Sequence, residues 1–153
     1  TFEVIVPFEN DTITKINIGA MQYLMVEKDG LKGMMFGNGS LYMPIENTRL
    51  DYVQAKNNNN YMIFTKDGKT GIKNTKYQVV VEPLYADISY DENGGFVLTM
   101  MKDMVGFCFL NHIVLEPKYS EVKAVKGGDF VLVKTRTGKT GYVSNNLQEF
   151  FEE

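Results

Sequence analysis

The sequence predicts an all-β domain of four tandem antiparallel units, each about 36 residues long, with a propeller-like closed ring favoured over an open β-solenoid. Three observations carry this. An apolar triplet followed by a proline corner recurs four times, as Val4-Ile5-Val6-Pro7, Leu41-Tyr42-Met43-Pro44, Val79-Val80-Val81-Glu82-Pro83 and Ile113-Val114-Leu115-Glu116-Pro117. Four glycines, Gly33, Gly71, Gly106 and Gly141, keep step at spacings of 38, 35 and 35. An aliphatic residue follows each corner, at Ile13, Leu50, Ile88 and Val122. Self-similarity at a period of roughly 20–50 residues signals a repeat architecture. A residue that recurs in every unit builds the unit rather than catalysing a reaction.

The elements of a unit follow in order. Each opens on an aromatic strand: Tyr23-Leu24-Met25-Val26, Tyr61-Met62-Ile63-Phe64, Phe96-Val97-Leu98 and Phe130-Val131-Leu132-Val133. Hairpin turn residues come next, as Lys28-Asp29-Gly30, Lys66-Asp67-Gly68, Lys102-Asp103 and Thr137-Gly138. Behind each register glycine stands a bulky apolar residue, Met34, Ile72, Phe107 or Tyr142. A second turn then leads into the triplet, as at Gly37-Asn38-Gly39. Runs this short, bounded by Gly, Asn and Asp, read as strands, and no amphipathic helix is predicted. The proline corner is expected to end each triplet, because proline lacks the donor a central strand needs.

The units fall at about 14–50, 51–88, 89–122, and 123–153 completed by 1–13. The chain starts with the second half of a unit and finishes with the first half. Phe2, Val4, Ile5 and Val6 at one end and Phe150 and Phe151 at the other are apolar, whereas the ends of an open solenoid usually carry a polar face. Complementary apolar ends point to closure. A piece of a longer array would have the same ends. Asn57 to Asn60 form a polar loop between units. The chain begins at Thr1, which a removed leader and an artificially shortened chain explain equally well.

The chain of 153 residues, 44% hydrophobic and 12% aromatic, suits one domain with a real core. Its 16 basic residues are scattered and the net charge is −3, so the basic stripe that nucleic acid requires is missing. No apolar run approaches the ~20 residues that span a bilayer, so membrane insertion is not expected. Cys108 stands alone, which rules out an intrachain disulfide and says nothing about compartment.

The repeat resembles the WG-repeat (KWG) family of bacterial β-repeat proteins over essentially the whole chain. Gly68-Lys69-Thr70-Gly71 and Gly138-Lys139-Thr140-Gly141 match the family's Gly-Lys-Trp-Gly turn apart from its tryptophan, and Pro83-Leu84-Tyr85 and Pro117-Lys118-Tyr119 match its Pro-x-Tyr corner. The tryptophan position holds Lys32, Thr70, Val105 and Thr140. The resemblance implies a β-repeat scaffold with no shared catalytic residues, acting as an interaction module, often in exported proteins. A periplasmic or cell-surface location is therefore preferred, though the compartment is not established by the residues.

Most chemical candidates have a plainer reading. Gly68-Lys69-Thr70 and Gly138-Lys139-Thr140 imitate the end of a phosphate-binding loop, but the required earlier glycine is replaced by Ile63 and Val133. They read as hairpin turns. His112, the lone histidine, falls in a turn without an orienting partner and is expected in solvent. Cys108, between Phe107 and Phe109, is expected to be an inert thiol. One Cys and one His cannot assemble a zinc cluster, and no loop resembles an EF-hand. No cofactor is expected. The structural set is Gly33, Gly71, Gly106 and Gly141 with Pro7, Pro44, Pro83 and Pro117.

The binding candidates are the corner residues Tyr85, Tyr119, Asn10 and Asn47, with Glu82 and Glu116 at their rim. Tyrosine combines large contact area with few rotatable bonds; the same tyrosines could instead lock the corners between units. The sequence reads as a non-catalytic interaction module for another protein or a surface glycan. A lectin-like carbohydrate-binding domain, using the Asn and Tyr corners, is the alternative. A hydrolase using Glu82 or Glu116 is the remote one, since its outcome depends on a carboxylate separation that sequence does not fix.

Overall fold

The computed structural model describes residues 12–18 and 20–151, and of Ile18 the backbone alone. The first triplet, Pro7 and Asn10 lie outside the described residues. The described chain is all-β and helix-free, with antiparallel strands in three sheets. Sheet A is the meander β1 (Thr12–Ile18), β2 (Met21–Lys28), β3 (Leu31–Phe36) and β4 (Leu41–Asn47). Sheet B repeats it with β5 (Arg49–Gln54), β6 (Asn60–Lys66), β7 (Lys69–Asn74) and β8 (Val79–Tyr85). Sheet C runs through β9 (Asp87–Asp91), β10 (Gly95–Met101), β11 (Met104–Cys108), β12 (Val114–Ala124), β13 (Phe130–Thr135), β14 (Thr140–Ser144) and β15 (Glu149–Phe151). In sheet C, β12 pairs with β11 through Val114–Tyr119 and with β13 through Tyr119–Ala124. Its two halves therefore belong to two successive meanders.

The turns follow from their residues. Asp29-Gly30 and Asp67-Gly68 have positive φ at both positions (52° and 79°, 52° and 76°), the backbone that matches strand twist in a two-residue hairpin. Six residues after each register glycine, at Gly39, Tyr77, His112 and Leu147, the chain is again left-handed, with φ of 87°, 63°, 67° and 68°. Each of these donates its N–H to the carbonyl three residues earlier, on Phe36, Asn74, Phe109 and Ser144.

The proline corner differs from expectation. It does not end its strand, since β4, β8 and β12 all run through it. Instead, the partner register jumps there: Met34 pairs with Met43 but Lys32 with Asn47, Ile72 with Val81 but Thr70 with Tyr85, and Phe107 with Leu115 but Val105 with Tyr119. Each of these three described corners is a bulge facing a register glycine, and a bulged residue leaves the ladder, so the missing proline donor costs nothing. A Cβ on Gly33 would lie 2.8 Å from Ile45 N, on Gly71 2.8 Å from Pro83 N, and on Gly106 2.8 Å from Pro117 N. Glycine is required because the bulge occupies the side-chain space. These contacts also place Ile45, not Pro44, in the slot of Pro83 and Pro117.

Call the face carrying Met34, Ile72, Phe107 and Tyr142 the front of each meander. The front of sheet A (Tyr23, Met34, Met43) shares a core with the back of sheet B (Leu50, Met62, Phe64). The front of sheet B (Tyr61, Ile63, Ile72, Val81) meets the back of the first half of sheet C (Ile88, Phe96, Leu98, Cys108). That half turns its front (Phe107, Leu115) onto the back of the second half (Ala124, Val131, Val133, Val143). Each meander thus covers its predecessor.

No sheet closes on itself. Thr12 and Ile13, assigned by the sequence to the last unit, pair with Glu27 and Val26 in sheet A. The strand flanking β14 opposite β13 is β15, with Gly141 paired to Phe151. Phe96 also departs from its alignment. Leu98 pairs with Gly106 where Phe64 pairs with Gly71, so Gly95 takes the slot of Tyr61 and Phe96 points to the back. A slip of one residue turns a side chain to the other face.

Candidate functional site

Of the described corner candidates, Asn47, Tyr85 and Tyr119 are buried. Asn47, Tyr85 and Tyr119 share one slot, across from Lys32, Thr70 and Val105, and are only 2%, 6% and 2% exposed. Placing them on a binding surface is therefore corrected: the strand that leaves the bulge turns them into the core. Asn47 Nδ2 donates to the carbonyls of Lys32 (3.2 Å) and Pro44 (3.1 Å). Tyr119 donates its hydroxyl to Glu149 Oε1 at 3.0 Å, where Lys118 Nζ also binds at 3.2 Å. The Lys118 ammonium, with the Tyr119 hydroxyl, holds the Glu149 carboxyl below its ordinary range. Burial, with the Glu116 carboxylate adding to it, pushes the Tyr85 phenol up.

Glu82 and Glu116 are exposed. Glu82 lines a groove of about 250 Å³ between sheets A and B, with Glu46, Lys66, Lys73 and Tyr77. Lys66 bridges to Glu46 at 3.0 Å, and Lys73 lies over the Tyr77 ring at 3.7 Å.

His112 is exposed in its left-handed turn, its Nε2 3.0 Å from the hydroxyl of buried Tyr61. Cys108 is fully buried, and burial pushes its thiol up to about 12. Such a thiol stays protonated and unreactive. Gly68 and Gly138 sit in hairpin turns with φ of 76° and 95°. Thr70 is buried, with its Oγ1 2.7 Å from Thr65 Oγ1. Among the described residues no three His, Cys, Asp or Glu side chains converge on a metal position.

What stands out is the front of the last meander, β12 to β15. Phe130, Leu132, Tyr142 and Phe150 occupy the slots of Tyr61, Ile63, Ile72 and Val81 in sheet B. The sheet B residues are 1%, 1%, 0% and 3% exposed, whereas their counterparts are 41%, 39%, 48% and 46% exposed. Alternation explains the pattern: Val131 and Val133 point back into the core, and their neighbours must point out. Phe130 and Phe150 hold their rings 6.2 Å apart, and with Val125 and Tyr142 line an apolar depression of about 310 Å³. Glu121, Lys123 and Lys134 border Leu132 on the same side. Sequence reasoning missed this face, although both apolar strands were in view. The signal was Phe150 after the last register glycine, with no following meander to cover it among the described residues.

No family model and no curated protein matches the chain. Solved structures similar to it include the following two. Kluyveromyces lactis Hsv2 is 10% identical with a TM-score of 0.42 over 94% of this chain and 51% of that one. HIRA, residues 644–1017, is 6% identical with a TM-score of 0.43 over 91% of this chain and 50% of that one. The chain spans about half the length of each.

Proposed function

We propose that this chain is a non-catalytic protein-interaction module: four four-stranded units stacked front to back, with the front of the last offered to a partner protein. One observation supports it above the rest. The four slots that form the core elsewhere stand open at Phe130, Leu132, Tyr142 and Phe150. A contiguous apolar patch on a soluble domain marks an interaction site, and large aromatics dominate such contacts. The change of partner along β12 supports counting its two halves in separate units. The turns Gly68–Gly71 and Gly138–Gly141 support reading the chain as a divergent relative of WG repeats. A protein fits the open face better than a glycan, because its centre offers rings and aliphatic carbon rather than hydrogen-bonding groups for sugar hydroxyls.

The test is a photo-crosslinking residue at position 132 of the full chain, expressed in the native host. A discrete covalent protein adduct, missing when the same residue sits at Arg136 in the adjoining turn, is expected. Equal or no adducts at both positions would overturn the reading.

A further inference from the structure

We infer that the depression between sheet B and the turn joining β11 to β12 is a binding site for a small oxyanion, the carboxylate or phosphate of a small organic molecule. It is separate from the open front and stands or falls without it. Three turns converge there: Asn59 and Asn60 where β6 begins, Asn74 to Gln78 between β7 and β8, and His112 between β11 and β12. Its volume is about 210 Å³, below the ~300–1,000 Å³ of sites for drug-sized ligands, so its guest is small.

Hydrogen bonding decides the sign of the guest. Asn74 Oδ1 accepts from the backbone N–H groups of Lys76 and Gln78, each at 2.9 Å. Gln78 Oε1 accepts from Asn74 Nδ2 at 2.8 Å, and Asn60 Oδ1 from the Tyr52 hydroxyl at 2.8 Å. The tautomer of His112 follows from its neighbours. Asn57 Oδ1 accepts from Asn59 N at 3.0 Å, which turns Asn57 Nδ2 toward the Tyr61 hydroxyl at 3.4 Å. That hydroxyl, accepting from Asn57, gives its own proton to His112 Nε2 at 3.0 Å, so the neutral ring carries its proton on Nδ1. These acceptors are engaged inside the protein, while Asn60 Nδ2, Gln78 Nε2, His112 Nδ1 and Lys76 Nζ keep donors for a guest. Asn59 and Thr75 retain both capacities, and no carboxylate lines the depression among the described residues. An excess of free donors with one ammonium suits an anion. The neighbouring units lack this arrangement. Tyr77, in the slot of His112, sets its ring against Tyr42 at 5.7 Å instead. One unit further on, the depression beside Asn111 is bordered by Asp129, whose carboxylate repels anions.

The experiment titrates the nitrogen-15-labelled whole chain at pH 8 and constant ionic strength, with inorganic phosphate in one arm and succinate in the other. The side-chain amide signals of Asn60 and Gln78 should shift together and saturate, with Kd on the order of 1 mM. The arm that binds tighter tells whether the guest is a phosphate or a carboxylate. Because the chain carries a net charge of −3, it has no general attraction for anions, and saturation reports these donors. Lys76→Glu should weaken binding at least tenfold. Lys126→Glu, on the turn between β12 and β13, changes the net charge equally and should leave the affinity within about twofold. Both lysines are exposed, so neither substitution disturbs the core. Shifts that rise linearly to about 50 mM in both arms, or equal affinity in the two variants, overturn the inference. So does a long-range nitrogen–proton correlation that places the His112 proton on Nε2.

Discussion

Gly71 lies beneath Pro83 at a distance that leaves no room for a side chain: a Cβ would sit 2.8 Å from the proline nitrogen and 2.7 Å from the carbonyl oxygen of Val81. The bulge bends β8 over β7 and aims Tyr85 into the core. Without the glycine the bulge cannot approach, and without the bulge the tyrosine points elsewhere. The repeat therefore conserves a spatial relationship rather than a chemical group. That is why Ile45 can stand where Pro83 and Pro117 stand, and Asn47 where Tyr85 and Tyr119 stand.

Gly71→Ala forces the bulge outward. Overpacking of this kind costs ~1–3 kcal/mol, which for a chain of this size lowers Tm by about 2–12 °C. Gly106→Ala should do the same against Pro117. A Tm within 1 °C of wild type in calorimetry, about the shift from a ~0.4 kcal/mol change, would show that the bulge yields freely.

Tyr119 is a structural peg. Tyr119→Ala removes a buried ring and should cost ~3–5 kcal/mol, read from the denaturation midpoint in urea. Tyr119→Phe keeps the ring and loses the hydroxyl bond to Glu149, for about 0.5–1.5 kcal/mol. The bond has a pH signature. The Glu149 carboxyl is held low by Lys118 first and Tyr119 second, so its contribution is present above the unfolded value of about 4.3 and is lost as pH falls through the folded value. The carboxylate is exposed enough for solvent to screen it, so the pH effect is small. Glu149→Gln should flatten the acid limb of the stability curve below about pH 4.3 and leave pH 7 to 8 parallel to wild type.

Much of the fold was legible because hairpin chemistry is local. Asp29-Gly30 and Asp67-Gly68 form the expected turns, and the register glycines mark real close approaches. What was not legible is what pairing decides. The prolines align in sequence, yet Pro44 and Pro83 occupy different slots, because Glu82 precedes one and nothing extra precedes the other. Phe96 looks like Tyr61 until Gly95 is seen to take that slot. The corner tyrosines carry the composition of a binding surface, yet the bulge buries them. The open front was hidden for a different reason: Tyr142 and Phe150 have the same apolar character as Ile72 and Val81, and only the stacking order distinguishes a covered face from a bare one.

Cys108 provides a probe of the interface between sheets B and C. Its thiol packs beside Ile88, Phe96 and Leu98 against the front of sheet B, and burial pushes its ionisation up to about 12. In the unfolded chain it ionises near 8.5. A folded value above the unfolded one stabilises fully below pH ~8.5, and that stabilisation drains away as pH rises toward 12, because the unfolded state then releases the proton first. Between pH 7 and pH 10 the thiol should cost the protein about 2 kcal/mol of stability. Tyrosines and lysines titrate in the same range, so the measurement is the difference in alkaline slope between wild type and Cys108→Ala. The wild type should fall more steeply. Consistent with this, an aromatic disulfide reagent at pH 8 should label the native protein no faster than it unfolds and label it at once in denaturant. Rapid native labelling, or parallel alkaline slopes, would mean that the two sheets part easily enough to admit solvent to Cys108.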